Sequence, residues 1–193
     1  MIVSSSQIPA IGFVAYSGTG KTTLIEQLIA YLSRQGYKIS VIKHTHHHFD
    51  MDRPGKDSYR HRESGAMEVM LVSDQRWVLM HELRDTQEPT IEEQLSKMSP
   101  CDLVIVEGFK QAPIQKIELW RHDHPESAQQ ALRASTDAYI EALAFPGGSK
   151  AIHQPDWQAL GRSISILDLD KIDEVAAYVV STCGLKPKKT MES

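Results

Sequence analysis

The residues best suited to chemistry lie in "AYSGTGKTT", Ala15 to Thr23. A lysine and two threonines directly after a pair of glycines form the set needed to hold a chain of phosphates. Gly18 and Gly20 allow successive backbone N–H groups to curl around an anion. Lys21 can reach the β and γ phosphates, and the Thr22 hydroxyl can ligate Mg²⁺. Ser17, Thr19 and Thr23 complete the lining. The stretch departs from G-x-x-x-x-G-K-[ST] only at Ala15, where the first glycine would stand. Alanine serves there if its φ stays negative. A second signal is "LVIVEGF", in which Glu107 and Gly108 follow four apolar residues. An acidic residue at the end of a strand beside such a loop holds Mg²⁺ directly or through water. Lys21 and Glu107 are therefore the catalytic candidates, and Thr22 and Glu107 the metal candidates.

A third group is "KHTHHHFDMD", Lys43 to Asp52. Three uses compete for it. Lys43, His44 and the other histidines can donate to phosphates while Asp50 or Asp52 serves Mg²⁺. Imidazoles also suit zinc, nickel or copper. The stretch can also be a polar loop without a ligand. In an extended chain His46 and His48 share a face that His47 does not, and no cysteine lies nearby. Position favours the first use, because a loop after the second strand of a βαβ unit lies on the ligand-binding edge.

The elements that must position these groups can be read in order. "AIGFVAY" is an apolar run expected of a strand buried on both faces. Leu24, Leu28 and Leu32, flanked by Ile25 and Ile29, form the stripe of a helix, with Gly36 as its terminating glycine. Lys38–Lys43 reads as a second strand, giving one βαβ unit with parallel strands. Asp57 or Ser58 is expected to cap a short helix ending near Gly65. "MEVMLVS" and "RWVLMHEL" flank Asp74-Gln75 as a hairpin. Thr90 and Glu93 form a capping-box pattern for a further helix. Leu103–Val106 is a buried strand, with Asp102 as a turn or cap residue at its start. "QKIELWR", "YIEALAF" and "SISILDL" read as strands, with loop or short helix over 123–137. The last element is an amphipathic helix capped by Asp170 and Gly184. Trp77 and Trp120 are expected in core or interface packing. The pattern is α/β with a mainly parallel sheet flanked by helices, in one nucleotide-binding domain over 1–185 and a basic, flexible tail over 186–193.

Composition excludes several classes. The 193 residues are 41% hydrophobic and 24% charged, with a net charge of −4. No nucleic-acid face is expected from that charge. Only Cys101 and Cys183 are present, in no paired motif, which suits a reducing cytoplasm. No apolar run is long enough for a membrane span. No Asn-Lys-x-Asp base-reading motif occurs, and no glutamine is placed to orient a hydrolytic water.

"AYSGTGKTT", "IKHTHH", the Asp50–Ser58 segment, "QRWVLM", "LVIVEGFK" and "KIELWR" together resemble the molybdopterin-guanine dinucleotide biosynthesis protein B family, over roughly residues 8–121. The resemblance implies a P-loop NTPase-like fold that binds GTP with Mg²⁺ and hydrolyses it weakly. It implies an adapter role in molybdenum cofactor maturation, beside the guanylyltransferase that synthesises molybdopterin-guanine dinucleotide. It also implies a homodimer, with the hairpin extending the sheet across subunits. By position, Ser17–Thr23 would hold phosphates, while Lys43, His44, Asp52, Lys56, Asp57, Ser58 and Gly108 would line the site. Asp50, with Thr22 and Glu107, would serve the metal. Two alternatives remain: a metal-delivery GTPase using the histidines, and a small-molecule nucleotide kinase using Arg60 and Arg62 as a clamp.

Overall fold

The computed structural model describes residues 8–45 and 49–188. They fall into two units, one formed by the chain up to His44 and from Ile91 onward, the other by Thr45–Thr90. The first holds β1 (Ala10–Val14), α1 (Lys21–Arg34) and β2 (Ile39–Lys43). The second inserts α2 (Asp57–Glu63), β3 (Glu68–Val72) and β4 (Trp77–His81). The first resumes with α3 (Ile91–Ser96), β5 (Leu103–Glu107), β6 (Lys116–Leu119), α4 (Pro125–Gln129), β7 (Ile140–Phe145), β8 (Ser165–Asp168) and α5 (Ile172–Thr182).

Six parallel strands form one sheet in the order β2-β5-β1-β6-β7-β8. The βαβ expectation holds in direction, but β5 lies between β1 and β2. That insertion brings Glu107 level with both Phe13 and Lys43. Each central strand is buried on both faces, as a helix-covered parallel sheet requires. In β5, Leu103 and Ile105 join the α1–α5 core while Val104 and Val106 pack with Ile91 and Leu95 of α3. From α1, Leu24, Ile25, Leu28 and Leu32 enter the first core beside Val175 and Val179 of α5. Burying one such leucine contributes about 1.5–3 kcal/mol.

β6 is different. Ile117 and Leu119 face the α1–α5 core, but Lys116 and Glu118 are each only 1% exposed. Their charges are met locally. Lys116 Nζ lies 2.7 Å from Asp137 Oδ2, and Glu118 accepts from the backbone N–H groups of Arg133 and Ala134 at 2.8 and 2.9 Å. Burial pushes the Glu118 pKa up, against the pull of those two N–H groups. The weakly patterned 123–137 stretch, a short helix and a 3₁₀ turn, is therefore fastened to the sheet by buried polar pairs.

Two capping expectations fail. The helix at 57–63 has Lys56 in the cap position, and the Ser58 hydroxyl donates to Asp52 instead. The last helix has Lys171 in the cap position, and the Asp170 N–H donates to Asp168 Oδ1. In each case the helix starts one or two residues away from the expected cap. The C-terminal segment is tied as far as Lys188, whose ammonium lies 2.7 Å from Asp102. Among the described residues no helix is long and apolar enough to cross a membrane.

The second unit is a short helix on a two-stranded ribbon. Ser73 closes the turn, and Met70 pairs with Leu79 and Val72 with Trp77. These four side chains share one exposed face, with Val72 73% and Trp77 61% accessible. Trp120, by contrast, is buried in the β6–β7 core.

Candidate functional site

The phosphate-loop segment joins β1 to α1, at the end of the sheet where the parallel strands finish. Gly18 and Gly20 have φ of 80° and 93°, in the left-handed region that disfavours a side chain. Ala15 is buried, and it is not among the described residues with positive φ, so it fills the first glycine's place without strain. Thr19 is fully buried and its hydroxyl donates to the Tyr16 carbonyl at 2.8 Å, which knits the loop. Gly20 occupies the helix cap position and supplies no side chain to it, and no acidic residue lies in the first turn. The positive end of a 14-residue helix is thus presented at the loop.

Three groups converge on Glu107, which is 8% exposed. The Thr22 hydroxyl donates to Oε1 at 3.2 Å, Lys21 Nζ lies 3.8 Å from Oε1, and Lys43 Nζ lies 3.5 Å from Oε2. The His44 N–H donates to the Glu107 carbonyl at 2.8 Å. Gly108 has φ of 97°, and a side chain there would press against His44 at 3.0 Å. Phe109 follows with φ of 34°, a strained value for a non-glycine, and its ring packs 4.6 Å from that of His44. Burial lowers the Lys21 pKa; Glu107 opposes that, while Lys43, Lys110 and Arg133 add to it. The centre has more positive charge than its one carboxylate offsets, which is the condition for holding a polyanion.

The family model described as molybdopterin guanine dinucleotide synthesis protein B matches residues 10–144. The chain belongs to this family. It is 42% identical to the molybdopterin-guanine dinucleotide biosynthesis adapter protein of Haemophilus influenzae, covering 93% of this chain and 92% of that one. It is 36% identical to the protein of the same name from Escherichia coli, covering 93% and 95%. The crystal structure of Bacillus subtilis MobB superposes with a TM-score of 0.63 at 22% identity, covering 94% of this chain and all of that one, and shares the fold.

The family match spans a cluster that sequence reasoning missed. Arg121, just past β6, donates through Nε to the Thr19 carbonyl at 3.0 Å. His124 lies over Gly18, where an added side chain would meet its Nε2 at 2.9 Å. The Arg133 guanidinium sits 4.3 Å from the centre of the Tyr16 ring, and its buried Nε has no hydrogen-bond partner. The Tyr16 hydroxyl donates to the Ala131 carbonyl at 3.0 Å. His124 and Arg133 stand in the weakly patterned 123–137 stretch, and Arg121 ends the segment read as a strand. The signal that could have found Arg121 is the one that found Glu107: a charged residue at the end of a buried strand.

The remaining candidates belong to the second unit and are engaged there. Arg62 donates to Asp50 at 2.9 and 3.0 Å, to Glu82 at 2.9 Å and to Asp52 at 3.4 Å. The Asp52 backbone N–H and Arg62 lower the Asp50 pKa. Ser58 donates to Asp52 at 2.8 Å, and exposed Asp57 pairs loosely with Arg60 at 4.0 Å. The Lys56 N–H donates to the Arg53 carbonyl. The kinase alternative would need Arg62 for a phosphoryl group, yet three carboxylates already occupy it. His46, His47 and His48 lie outside the described residues. Among the described residues no group of three or more His, Cys, Asp or Glu is arranged for a metal.

Proposed function

We propose that this chain is a GTP-binding adapter with slow GTPase activity, acting beside the guanylyltransferase that makes molybdopterin-guanine dinucleotide. The observation that carries the reading is the convergence of Lys21, Thr22 and Lys43 on Glu107, at the mouth of an uncapped helix. The adapter role is that of the relatives 36% and 42% identical over nearly the whole chain. The preference for GTP is the family expectation.

The residues fit the groups required. Lys21 would reach the β and γ phosphates, and the loop N–H groups at the helix start would cradle them. Lys43 adds charge from the β2 side. Thr22 Oγ1 and Glu107 Oε1 lie 3.2 Å apart, a pair of hard oxygens suited to Mg²⁺. Bound there, Mg²⁺ would neutralise phosphate charge. The apolar ribbon face of Met70, Val72, Trp77 and Leu79 supports a homodimer through the hairpin. Cys101 and Cys183 are free thiols, in keeping with a cytoplasmic place beside the synthase.

Calorimetric titration of GTP into the wild type and Lys21→Ala tests the nucleotide site. Wild-type binding that the variant loses is expected, and equal affinities would remove the assignment. Pull-down of the synthase with and without a non-hydrolysable GTP analogue tests the adapter role, with nucleotide-dependent capture as the expected result.

A further inference from the structure

The nucleotide reading fixes a direction along the sheet edge. Thr22, Glu107 and Lys43 lie on the β5–β2 side of the loop, so the metal and the terminal phosphates belong there. The nucleoside must then run the other way, over β6, β7 and β8. On that side lies a cavity of about 380 Å³, within the range of small-molecule sites (~300–1,000 Å³). Trp120, Gln130 and Leu132 wall it from the chain after β6, and Gln154, Asp156 and Leu160 from the chain after β7. It adjoins the phosphate loop, because Ala131 also lines it and accepts the Tyr16 hydroxyl. The two walls meet through His122 and His153, whose rings stack at 3.8 Å.

The cavity lining mixes apolar side chains, Trp120, Leu132 and Leu160 among them, with polar ones, among which Gln154 and Asp156 offer acceptors. Gln154 Nε2 donates to the carbonyls of Ser149 and Ala151 at 3.0 and 2.9 Å, which leaves its Oε1 to accept. Asp156 is exposed and uses Oδ1 to accept from the Ala159 N–H at 3.3 Å. A carboxylate recognises two adjacent N–H donors on a planar group. Guanine presents that pair as N1–H and the 2-amino group, whereas adenine sets a ring acceptor beside its single amino group.

We infer that this cavity receives the base of the nucleotide held on the phosphate loop, and that Asp156 selects a 2-amino-6-oxopurine. The inference rests on the nucleotide reading above and supplies the base recognition that no Asn-Lys-x-Asp motif provides. A pterin offers the same 2-amino-oxo edge, so the test separates the two.

The experiment measures affinities for GTP, ITP, XTP and inorganic tripolyphosphate. Wild type should prefer GTP to ITP, which lacks the 2-amino group, by at least about tenfold. Asp156→Asn keeps an acceptor for Ala159 and should lose that preference while gaining affinity for XTP. Ala159→Phe, which fills the cavity, should weaken GTP binding and leave tripolyphosphate binding unchanged. Equal wild-type affinities for GTP and ITP would overturn the proposal, as would a preference that survives in Asp156→Asn. Free pterin displaced by GTP but not by tripolyphosphate supports the base assignment; Asp156-dependent pterin binding under saturating GTP overturns it. Lys21→Ala separates the two levels. Tripolyphosphate binding that persists in that variant removes the phosphate-loop reading itself, whereas its loss with no effect of Asp156 on base choice removes only this inference.

Discussion

Two charge clusters in this molecule are built to opposite ratios. In the sheet unit one carboxylate, Glu107, faces Lys21 and Lys43, with Arg121 and Arg133 on the other side of the loop. In the inserted unit one guanidinium, Arg62, faces Asp50, Asp52 and Glu82. The difference is in what remains to be satisfied. Around Glu107 the contacts of the lysines are loose, at 3.5 and 3.8 Å, and the positive charge exceeds the negative. Such a centre gains when a polyanion enters. Around Arg62 the contacts to Asp50 and Glu82 are short and directional, at 2.9 to 3.0 Å, and with a longer one to Asp52 at 3.4 Å they join residues 50, 52, 62 and 82 of one small unit. That arrangement is a staple for a unit with too small a core to stand on apolar burial alone. Charge number alone does not separate a binding site from a structural tie; contact geometry and spare donors do.

Lys21→Ala is the strongest way to break the contrast. It should lower triphosphate affinity by on the order of a hundredfold or more, because charge-assisted contacts to phosphate are lost. Calorimetry reads this, and the melting temperature of the unliganded protein should hardly move. Arg62→Met is the converse. It should lower thermal stability and open residues 49–66 to limited proteolysis, since three carboxylates lose their common partner. Its exposed neighbour supplies the control: Arg60→Met removes only the 4.0 Å surface contact with Asp57 and should change nothing measurable.

A fourth variant sharpens the view of the inserted unit as a tied platform. Trp77→Lys places a charge on the exposed ribbon face; under the proposed homodimer it should leave a monomer in sedimentation without loss of GTP affinity. The smallest measurable effect concerns Asp102. Lys188, and then the Lys38 backbone N–H, hold its pKa below the ordinary 3.8. A depressed pKa gives stability that is present above the unfolded value and lost as pH falls through the folded one. Asp102→Asn should therefore lower the urea midpoint slightly at neutral pH. Its curve should converge with the wild type as pH falls below the lowered pKa of the carboxyl.

The site was unevenly legible. "SGTGKTT" placed the glycine curl, the lysine and the threonine, because a strand–turn–helix is local and its residues are consecutive. Glu107 was legible from four apolar residues ending in an acid. Arg121, His124 and Arg133 were not, because they are brought to the loop by Glu118 and by Ser127, which accepts the Arg121 N–H at 2.9 Å. No periodicity marks such contacts. The caps assigned to Asp57 or Ser58 and to Asp170 failed because each helix starts one or two residues from the expected position, a boundary that local pattern fixes poorly.

By itself the sequence determined the strand and helix types, the parallel sheet and the phosphate loop, because buried runs and glycine turns are local consequences of solvation and sterics. Only the tertiary structure decided that β5 lies between β1 and β2 and so sets Glu107 against Thr22, 85 positions away. It alone gave Arg62 three carboxylates, and it alone raised the walls of the cavity beside the loop. Those pairings depend on chain reversals and long-range register, whose energies are shared among many residues.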